Sequence, residues 1–102
     1  MLLVIDCGNT NTGFAVYKNT NCVGSWRTST NISRTADEYA VWLTELLGLR
    51  GLVINDIEGI IIANVVPETS FNLINLCEKY FEIRPMVVGE TEVDLGITID
   101  ID

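Results

Sequence analysis

The sequence has 102 residues, of which 48% are hydrophobic, and its 14 acidic and six basic side chains give a net charge of -8. A chain of this length forms one domain at most, and its charge disfavours nucleic acid and anionic membrane surfaces as partners. It has neither an apolar run of about 18 residues nor a signal peptide at its start, so we expect a cytoplasmic location.

Three strands are predicted in the first third of the chain, at residues 1–5, 14–17 and 22–28. The first is a continuous apolar run, and the other two are joined across the polar turn at residues 18–21. Short polar turns of this kind connect antiparallel neighbours. The pattern therefore predicts an antiparallel meander of three strands.

Two helices and two strands are predicted in the remainder. The stretch from Thr35 to Glu38 matches a capping box, which predicts a helix over residues 36–48. Residues 59–63 read as a buried parallel strand, Pro67 suits the first turn of a helix over residues 67–81, and residues 86–88 form a last strand. The predicted buried positions of the two helices are Tyr39, Trp42, Leu43, Leu46, Leu47, Phe71, Ile74, Cys77, Tyr80 and Phe81.

This order of elements predicts an α/β fold with one mixed five-stranded sheet. Strand 1 is central, strands 2 and 3 are antiparallel on one side, and strands 4 and 5 are parallel on the other, which gives the strand order 3-2-1-4-5 with both helices packed on the sheet. The cysteines Cys7, Cys22 and Cys77 are far apart, and the chain has no histidine. We therefore predict neither a disulfide framework nor a zinc site, and interpret each cysteine as a small apolar filler.

The segment DCGNTNTG, residues 6–13, follows the first strand. Ligands of open α/β sheets gather at the carboxyl ends of the parallel strands, which is where Asp6 lies. Gly8 permits close approach to the main chain, and Asn9, Thr10 and Thr12 add side-chain donors. These properties are typical of a phosphate-binding loop.

No standard nucleotide motif accounts for this loop. Gly8 and Gly13 have the glycine spacing of a Walker A loop, but Phe14 and Ala15 stand where its lysine and hydroxyl residue belong. Phosphate charge would then need a divalent cation, with Asp6 as its carboxylate ligand. The residues alone leave two interpretations open, a Mg-nucleotide site and an ordinary hairpin turn.

Three segments, IDCGNTNTGFAVY, SWRTSTNISRTADEYAVWL and GIIIANVVPETS, resemble the N-terminal half of type III pantothenate kinases. These enzymes belong to the superfamily of actin, sugar kinases and heat-shock ATPases, with a ribonuclease H-like fold. The resemblance implies ATP-dependent phosphorylation of pantothenate to 4'-phosphopantothenate, in the first step of coenzyme A synthesis. It also implies that the D-x-G-N-T loop binds the ATP phosphates and that Asp6 serves Mg²⁺. The implied nucleotide-binding residues are Asp6, Cys7, Gly8, Asn9, Thr10, Asn11, Thr12 and Gly13.

Two other parts of these segments have structural explanations. The capping box accounts for the R-T-A-D-E-Y stretch, Arg34 to Tyr39, without a catalytic role. Asn64 and Val65 could line the cleft, but the end of a strand and the start of a helix also explain them.

The resemblance places residues 1–102 as an N-terminal domain and puts Ile101 at the position of a tyrosine that contacts pantothenate. The general-base aspartate is expected beyond Asp102, as are the second phosphate motif, the adenine-binding segment and a K⁺ or NH₄⁺ site. A homodimer is implied for the full-length protein, with self-association possible for this half. The alternative function is a non-catalytic, degenerate or regulatory actin-like domain with weak nucleotide binding at most.

Overall fold

The structure, a computed structural model, describes residues 1–88. Within this range the strands are β1 (Leu2–Cys7), β2 (Asn11–Lys18), β3 (Asn21–Ser29), β4 (Gly59–Asn64) and β5 (Met86–Val88). The α-helices are α1 (Ala36–Leu49) and α2 (Ser70–Tyr80), and short 3₁₀ helices span Ile54–Asp56 and Pro67–Thr69.

The strands form a five-stranded sheet in the predicted order, β3-β2-β1-β4-β5. The central strand β1 pairs antiparallel with β2 and parallel with β4, and β4 pairs parallel with β5. In this register Asp6 lies between Gly13 of β2 and Ala63 of β4. The carboxyl ends of β1 and β4 therefore meet at one edge of the sheet, and the proposed phosphate loop emerges there.

The first two strands are longer than predicted. β1 continues through Asp6 and Cys7, and β2 begins at Asn11 instead of Phe14. The two strands stay paired as far as Cys7 and Thr12, so ladder hydrogen bonds extend into polar residues that the hydrophobic pattern assigns to a loop. The connecting turn consists of residues 8–10 alone.

Both helices pack on one face of the sheet. Alternate β1 residues Leu3, Ile5 and Cys7 belong to the same buried cluster as Leu43 of α1 and Leu73 of α2. Successive strand residues point to opposite faces, so Asp6 points to the face away from the helices.

The first helix begins as its capping box predicts. The Thr35 hydroxyl accepts a hydrogen bond from the Glu38 backbone N–H, and the Glu38 carboxylate accepts one from the Thr35 backbone N–H. The helix ends at Leu49, one residue after the predicted end. In its first turn Asp37 accepts hydrogen bonds from Lys79 Nζ, at 2.9 Å, and from the Tyr80 hydroxyl, which joins the start of α1 to the end of α2.

The prediction of one continuous helix over residues 67–81 is wrong in its first turn. Pro67–Thr69 forms a 3₁₀ helix, with α2 starting at Ser70. The buried face of α2 is formed by Leu73, Leu76 and Cys77, and Phe71 is 76% exposed. A 3₁₀ helix has fewer residues per turn than an α-helix, so it rotates the faces of α2 relative to the sheet. Phe71 therefore lies on the exposed face, and its predicted burial is also wrong.

The β2–β3 hairpin turns at Asn19, which has a positive φ of 58°. The register shifts between Val16 and Tyr17, as in a β-bulge. Trp26 lies over Gly24 of its own strand, where a Cβ atom would come within 2.5 Å of the Trp26 ring. Cys22 is exposed in this hairpin, so its interpretation as interior filler is wrong. Cys7 and Cys77 are buried, as predicted.

Candidate functional site

The candidate site is built on the turn between β1 and β2. The Gly8 N–H donates to the Asn11 carbonyl at 2.9 Å, which closes the turn. Asn9 and Thr10 are exposed at its tip. The turn thus presents two exposed polar residues at the carboxyl end of the central strand.

Asp6 stands beside this turn with small neighbours on both sides. Its cross-strand partners are Gly13 and Ala63, and the Asp6 side chain is partly buried. A carboxylate is a hard oxygen ligand, and protein-bound Mg²⁺ usually takes only one or two carboxylates together with water and substrate phosphates. Residues 1–88 contain no group of three or more His, Cys, Asp or Glu side chains that could hold a metal ion. The single carboxylate of Asp6 fits a cation whose other ligands are water and phosphate oxygens.

Thr30 holds the turn from the side of β3. Its backbone N–H donates to the Thr10 carbonyl at 2.9 Å, and its hydroxyl donates to the Gly8 carbonyl at 2.6 Å. The Thr30 hydroxyl also contacts that of Thr12 at 2.9 Å. Both ends of the turn are therefore fixed to one residue at the end of a neighbouring strand.

A second group of polar contacts ties β1 to the start of α2. The Cys7 carbonyl accepts from the Val65 N–H at 3.1 Å, and Cys7 Sγ lies 3.3 Å from the Thr69 hydroxyl. Asn64 Nδ2 donates to Thr69 and to Ser70, while Asn64 Oδ1 accepts from the Val66 N–H. Asn64 therefore organises the end of β4 and the start of the helix, which supports its structural interpretation.

The predicted site residues fall into two groups in the structure. Gly8, Asn9 and Thr10 form the turn where the sequence predicts phosphate contacts, and Asp6 lies beside it near the end of β1. Asn11, Thr12 and Gly13 lie in β2, and the side chains of Cys7 and Thr12 are fully buried. Buried side chains of this kind support the turn from behind. Ile101 lies outside the described residues.

Thr30 and Thr69 complete the buried polar contacts but do not stand out in the sequence. Both lie within segments that carry the family resemblance, Thr30 in SWRTSTNISRTADEYAVWL and Thr69 in GIIIANVVPETS, but no pattern within either segment predicts contact with the turn or with β1. A threonine near the end of a predicted strand or the start of a predicted helix is the one local signal, and it is common in proteins of every function.

The R-T-A-D-E-Y stretch lies behind the site and has structural contacts. Arg34 Nη1 donates to the Thr28 hydroxyl and the Ser29 carbonyl, and the guanidinium lies 5.6 Å from the Tyr39 ring centre. The Tyr39 side chain is buried, and its hydroxyl has no hydrogen-bond partner among the described residues. Burial raises the pKa of Tyr39, which keeps its phenol neutral at physiological pH.

The sequence model for type III pantothenate kinase matches residues 2–102. The chain belongs to this family. It is 60% identical over 99 residues to the type III pantothenate kinase of Rhodospirillum rubrum and 54% identical over 102 residues to that of Paramagnetospirillum magneticum. These matches cover 97% and 100% of this chain, but 38% and 39% of the relatives, so the chain spans less than half of their length.

Two solved kinases share the fold. ROK hexokinase from Thermus thermophilus superposes with a TM-score of 0.65 at 12% identity, over 86% of this chain and 34% of its own. A putative N-acetylglucosamine kinase from Porphyromonas gingivalis gives a TM-score of 0.59 at 20% identity, over 87% of this chain and 34% of its own. The five-stranded sheet with its helices is thus the actin-like ATPase fold, as predicted.

Within residues 1–88, neither α1 nor α2 has the length and apolar character needed to cross a bilayer.

Proposed function

We propose that residues 1–102 form the N-terminal, ATP-phosphate-binding domain of a kinase that converts pantothenate to 4'-phosphopantothenate. The observation that carries the proposal is the position of Asp6 and the turn at residues 8–10, at the carboxyl end of the central strand in a chain of this family. The match of nearly the whole chain to the family favours this function over a non-catalytic actin-like domain.

Within this domain the exposed side of the turn faces the phosphates. Gly8 lets them approach the backbone, and Asn9, Thr10 and Asn11 supply donors. Asp6 holds Mg²⁺ directly or through water, while the buried Cys7 and Thr12 and the small Gly13 shape the turn from within the sheet. This assignment keeps all eight predicted nucleotide-binding residues but gives only some of them direct contact.

The reaction forms a bond between the primary hydroxyl of pantothenate and the γ-phosphorus of ATP, and breaks the bond to the β,γ-bridging oxygen, which leaves with ADP. Positioning and electrostatic stabilisation dominate the catalysis of such transfers. When bound, Mg²⁺ offsets the negative charge of the phosphates. The backbone donors of the turn orient the phosphates, and an aspartate beyond Asp102 accepts the proton of the hydroxyl.

The family resemblance also supports proposals about the whole protein. It supports a homodimer, a K⁺ or NH₄⁺ site in the second domain, and contact between pantothenate and the position of Ile101. The three free cysteines, together with ATP as the substrate, support a cytoplasmic location.

The test uses a chimera in which this chain replaces the matched 38% of the Rhodospirillum rubrum relative. We expect ATP-dependent phosphorylation of pantothenate by this chimera. Asp6→Asn should lower Mg²⁺-dependent turnover at least 100-fold, a loss of roughly 3 kcal/mol of transition-state stabilisation.

Glu45→Gln, which removes an exposed carboxylate from α1, is the matched control and should leave turnover unchanged. Near-normal turnover of Asp6→Asn would show that metal and phosphates are held elsewhere. An inactive parent chimera with a native circular dichroism spectrum would count against the kinase function itself.

A further inference from the structure

We infer that Thr30 is a positioning residue: its hydroxyl, supported by Thr12, sets the orientation of the Gly8–Asn9 peptide so that the Asn9 N–H faces the phosphate. The inference rests on the proposed function of the turn. It adds a residue that lies outside the D-x-G-N-T motif, 20 positions after Thr10 in the sequence.

The direction of the hydrogen bonds follows from counting protons. The Gly8 carbonyl has no proton to donate, so Thr30 must give its single hydroxyl proton to this acceptor, at 2.6 Å. The Thr30 oxygen then accepts from Thr12 across the 2.9 Å contact. Cys7 Sγ, at 3.4 Å, is a weaker alternative acceptor for Thr12. The favoured arrangement is a chain from Thr12 to Thr30 to the Gly8 carbonyl.

This chain fixes the orientation of a peptide plane. The peptide bond between Gly8 and Asn9 is trans, so its carbonyl and its N–H point in nearly opposite directions. Because Thr30 holds the carbonyl towards the buried Thr12, the Asn9 N–H must point to the exposed side of the turn. If this peptide rotated by half a turn, a carbonyl oxygen would face the phosphate and repel it.

Two other backbone groups of the turn are already used. The Gly8 N–H donates to Asn11, and the Thr10 carbonyl accepts from the Thr30 N–H. Within residues 1–88, none of the hydrogen bonds of the turn uses the N–H of Asn9 or Thr10. The Asn9 N–H is therefore available as a donor on the exposed side of the turn, and backbone N–H groups in such turns bind anions.

The hydroxyl chain is anchored in the interior at one end and is partly buried at Thr30. The Thr12 side chain is fully buried, and hydrogen bonds between buried groups are costly to leave unmade. Glycine at position 8 has little intrinsic preference between backbone conformations, so the peptide after it depends on outside contacts for its orientation. Thr30 therefore supplies the restraint that Gly8 lacks.

The variants that test this role are Thr30→Val, which keeps the shape but removes the hydroxyl, and Thr30→Ser, which keeps the hydroxyl. Thr20→Val, at an exposed position in the turn between β2 and β3, is the matched control. Each variant is made in this chain, for nuclear magnetic resonance, and in the chimera described above, for kinetics.

In the chain, Thr30→Val should speed amide exchange of Gly8 and Thr30 roughly 10-fold and shift the Asn9 amide nitrogen resonance. Exchange at Ile5 and Ile62, in the centre of the sheet, should not change. Thr30→Ser should restore the parent values. Equal acceleration at all amides, or no change at the turn, would overturn the inference.

In the chimera, Thr30→Val should raise the KM for MgATP about 10-fold and leave the KM for pantothenate unchanged, with rescue by Thr30→Ser. An unchanged KM for MgATP in Thr30→Val, or an equal increase of this KM in Thr30→Val and Thr30→Ser, would refute the positioning role. If the parent chimera has no kinase activity, the proposed function fails, and amide exchange still decides whether Thr30 orients the turn.

Discussion

Tyr39 places a hydroxyl in the interior without a hydrogen-bond partner among the described residues. Its ring packs 5.8 Å from that of Phe14, so the aromatic part of the side chain contributes to the core. The hydroxyl is the only buried side-chain oxygen or nitrogen in residues 1–88 that makes no hydrogen bond of good geometry, although the Arg34 and Thr12 side chains lie close enough to act on its pKa. Burial of an unsatisfied polar group costs free energy, and its removal should recover that cost.

We predict that Tyr39→Phe raises the free energy of unfolding by about 1 kcal/mol, since it removes the unsatisfied hydroxyl and keeps the ring. Tyr80→Phe is the matched control, because the Tyr80 hydroxyl donates to Asp37 and its loss should lower stability. Urea denaturation of the three proteins measures both effects. A less stable Tyr39→Phe would mean that the hydroxyl is hydrogen-bonded in solution, for example through water.

At the scale of elements, α1 and α2 are joined by an exposed charged contact in addition to their apolar packing. Asp37 in the first turn of α1 is bonded to Tyr80 and Lys79 at the end of α2, and these two groups lower the pKa of Asp37, Tyr80 most strongly. A carboxylate whose pKa is lower in the folded state adds stability above its unfolded pKa of about 4. The contribution is lost as the pH falls from there through the folded value.

Asp37→Asn should therefore unfold at a lower temperature than the parent at pH 7, and the difference should disappear as the pH approaches about 2. Thermal unfolding followed by circular dichroism at both pH values measures it. Glu45→Gln, on the exposed side of α1, should match the parent throughout. A difference that persists at the lowest pH would assign the effect to packing instead of the ion pair.

Most of the elements can be predicted from local signals. The capping box at Thr35 and the apolar runs of β1 and β4 are patterns within short stretches of the sequence, and the structure confirms all three. The 3₁₀ turn before α2 could not be predicted, because it depends on a hydrogen bond from the Asn64 side chain, at the end of β4, to the Thr69 hydroxyl. Phe71 is misassigned for that reason.

In the candidate site, too, some residues can be predicted from local patterns and others depend on contacts between strands. Asp6 and Gly8 stand out because a carboxylate and a glycine follow a buried strand, which is a local pattern. The buried position of Thr12 and the role of Thr30 follow from the pairing of β2 with β1 and β3. No pattern within a single segment encodes that register.

At the scale of the whole molecule, the chain carries the proposed phosphate-binding turn and spans 38% and 39% of the lengths of the Rhodospirillum and Paramagnetospirillum relatives. The resemblance to actin-like kinases implies a nucleotide site shared between two domains, so this chain alone would leave much of the nucleotide in water. The cost of association would then be opposed by a few hydrogen bonds and one metal contact.

We predict that this chain alone folds but binds MgATP with a Kd weaker than about 1 mM, corresponding to roughly -4 kcal/mol, and shows no pantothenate phosphorylation. The chimera with the second domain should bind more tightly and turn over. Calorimetry and a kinase assay on both proteins provide the comparison. Micromolar binding by the chain alone would place most of the nucleotide site within residues 1–102.

Trp26, which lies over Gly24, is one of two tryptophans whose fluorescence depends on the packing of this protein. The sequence has two tryptophans, and both pack against the buried cluster between the sheet and the helices; Trp42 of α1 meets Phe14 edge-on at 5.3 Å. Their fluorescence should shift to longer wavelength when α1 separates from β2 and β3 and water reaches the indole rings. Intrinsic emission therefore reports the docking of this helix without an added dye, and Trp42→Phe would leave Trp26 as a single probe of the hairpin.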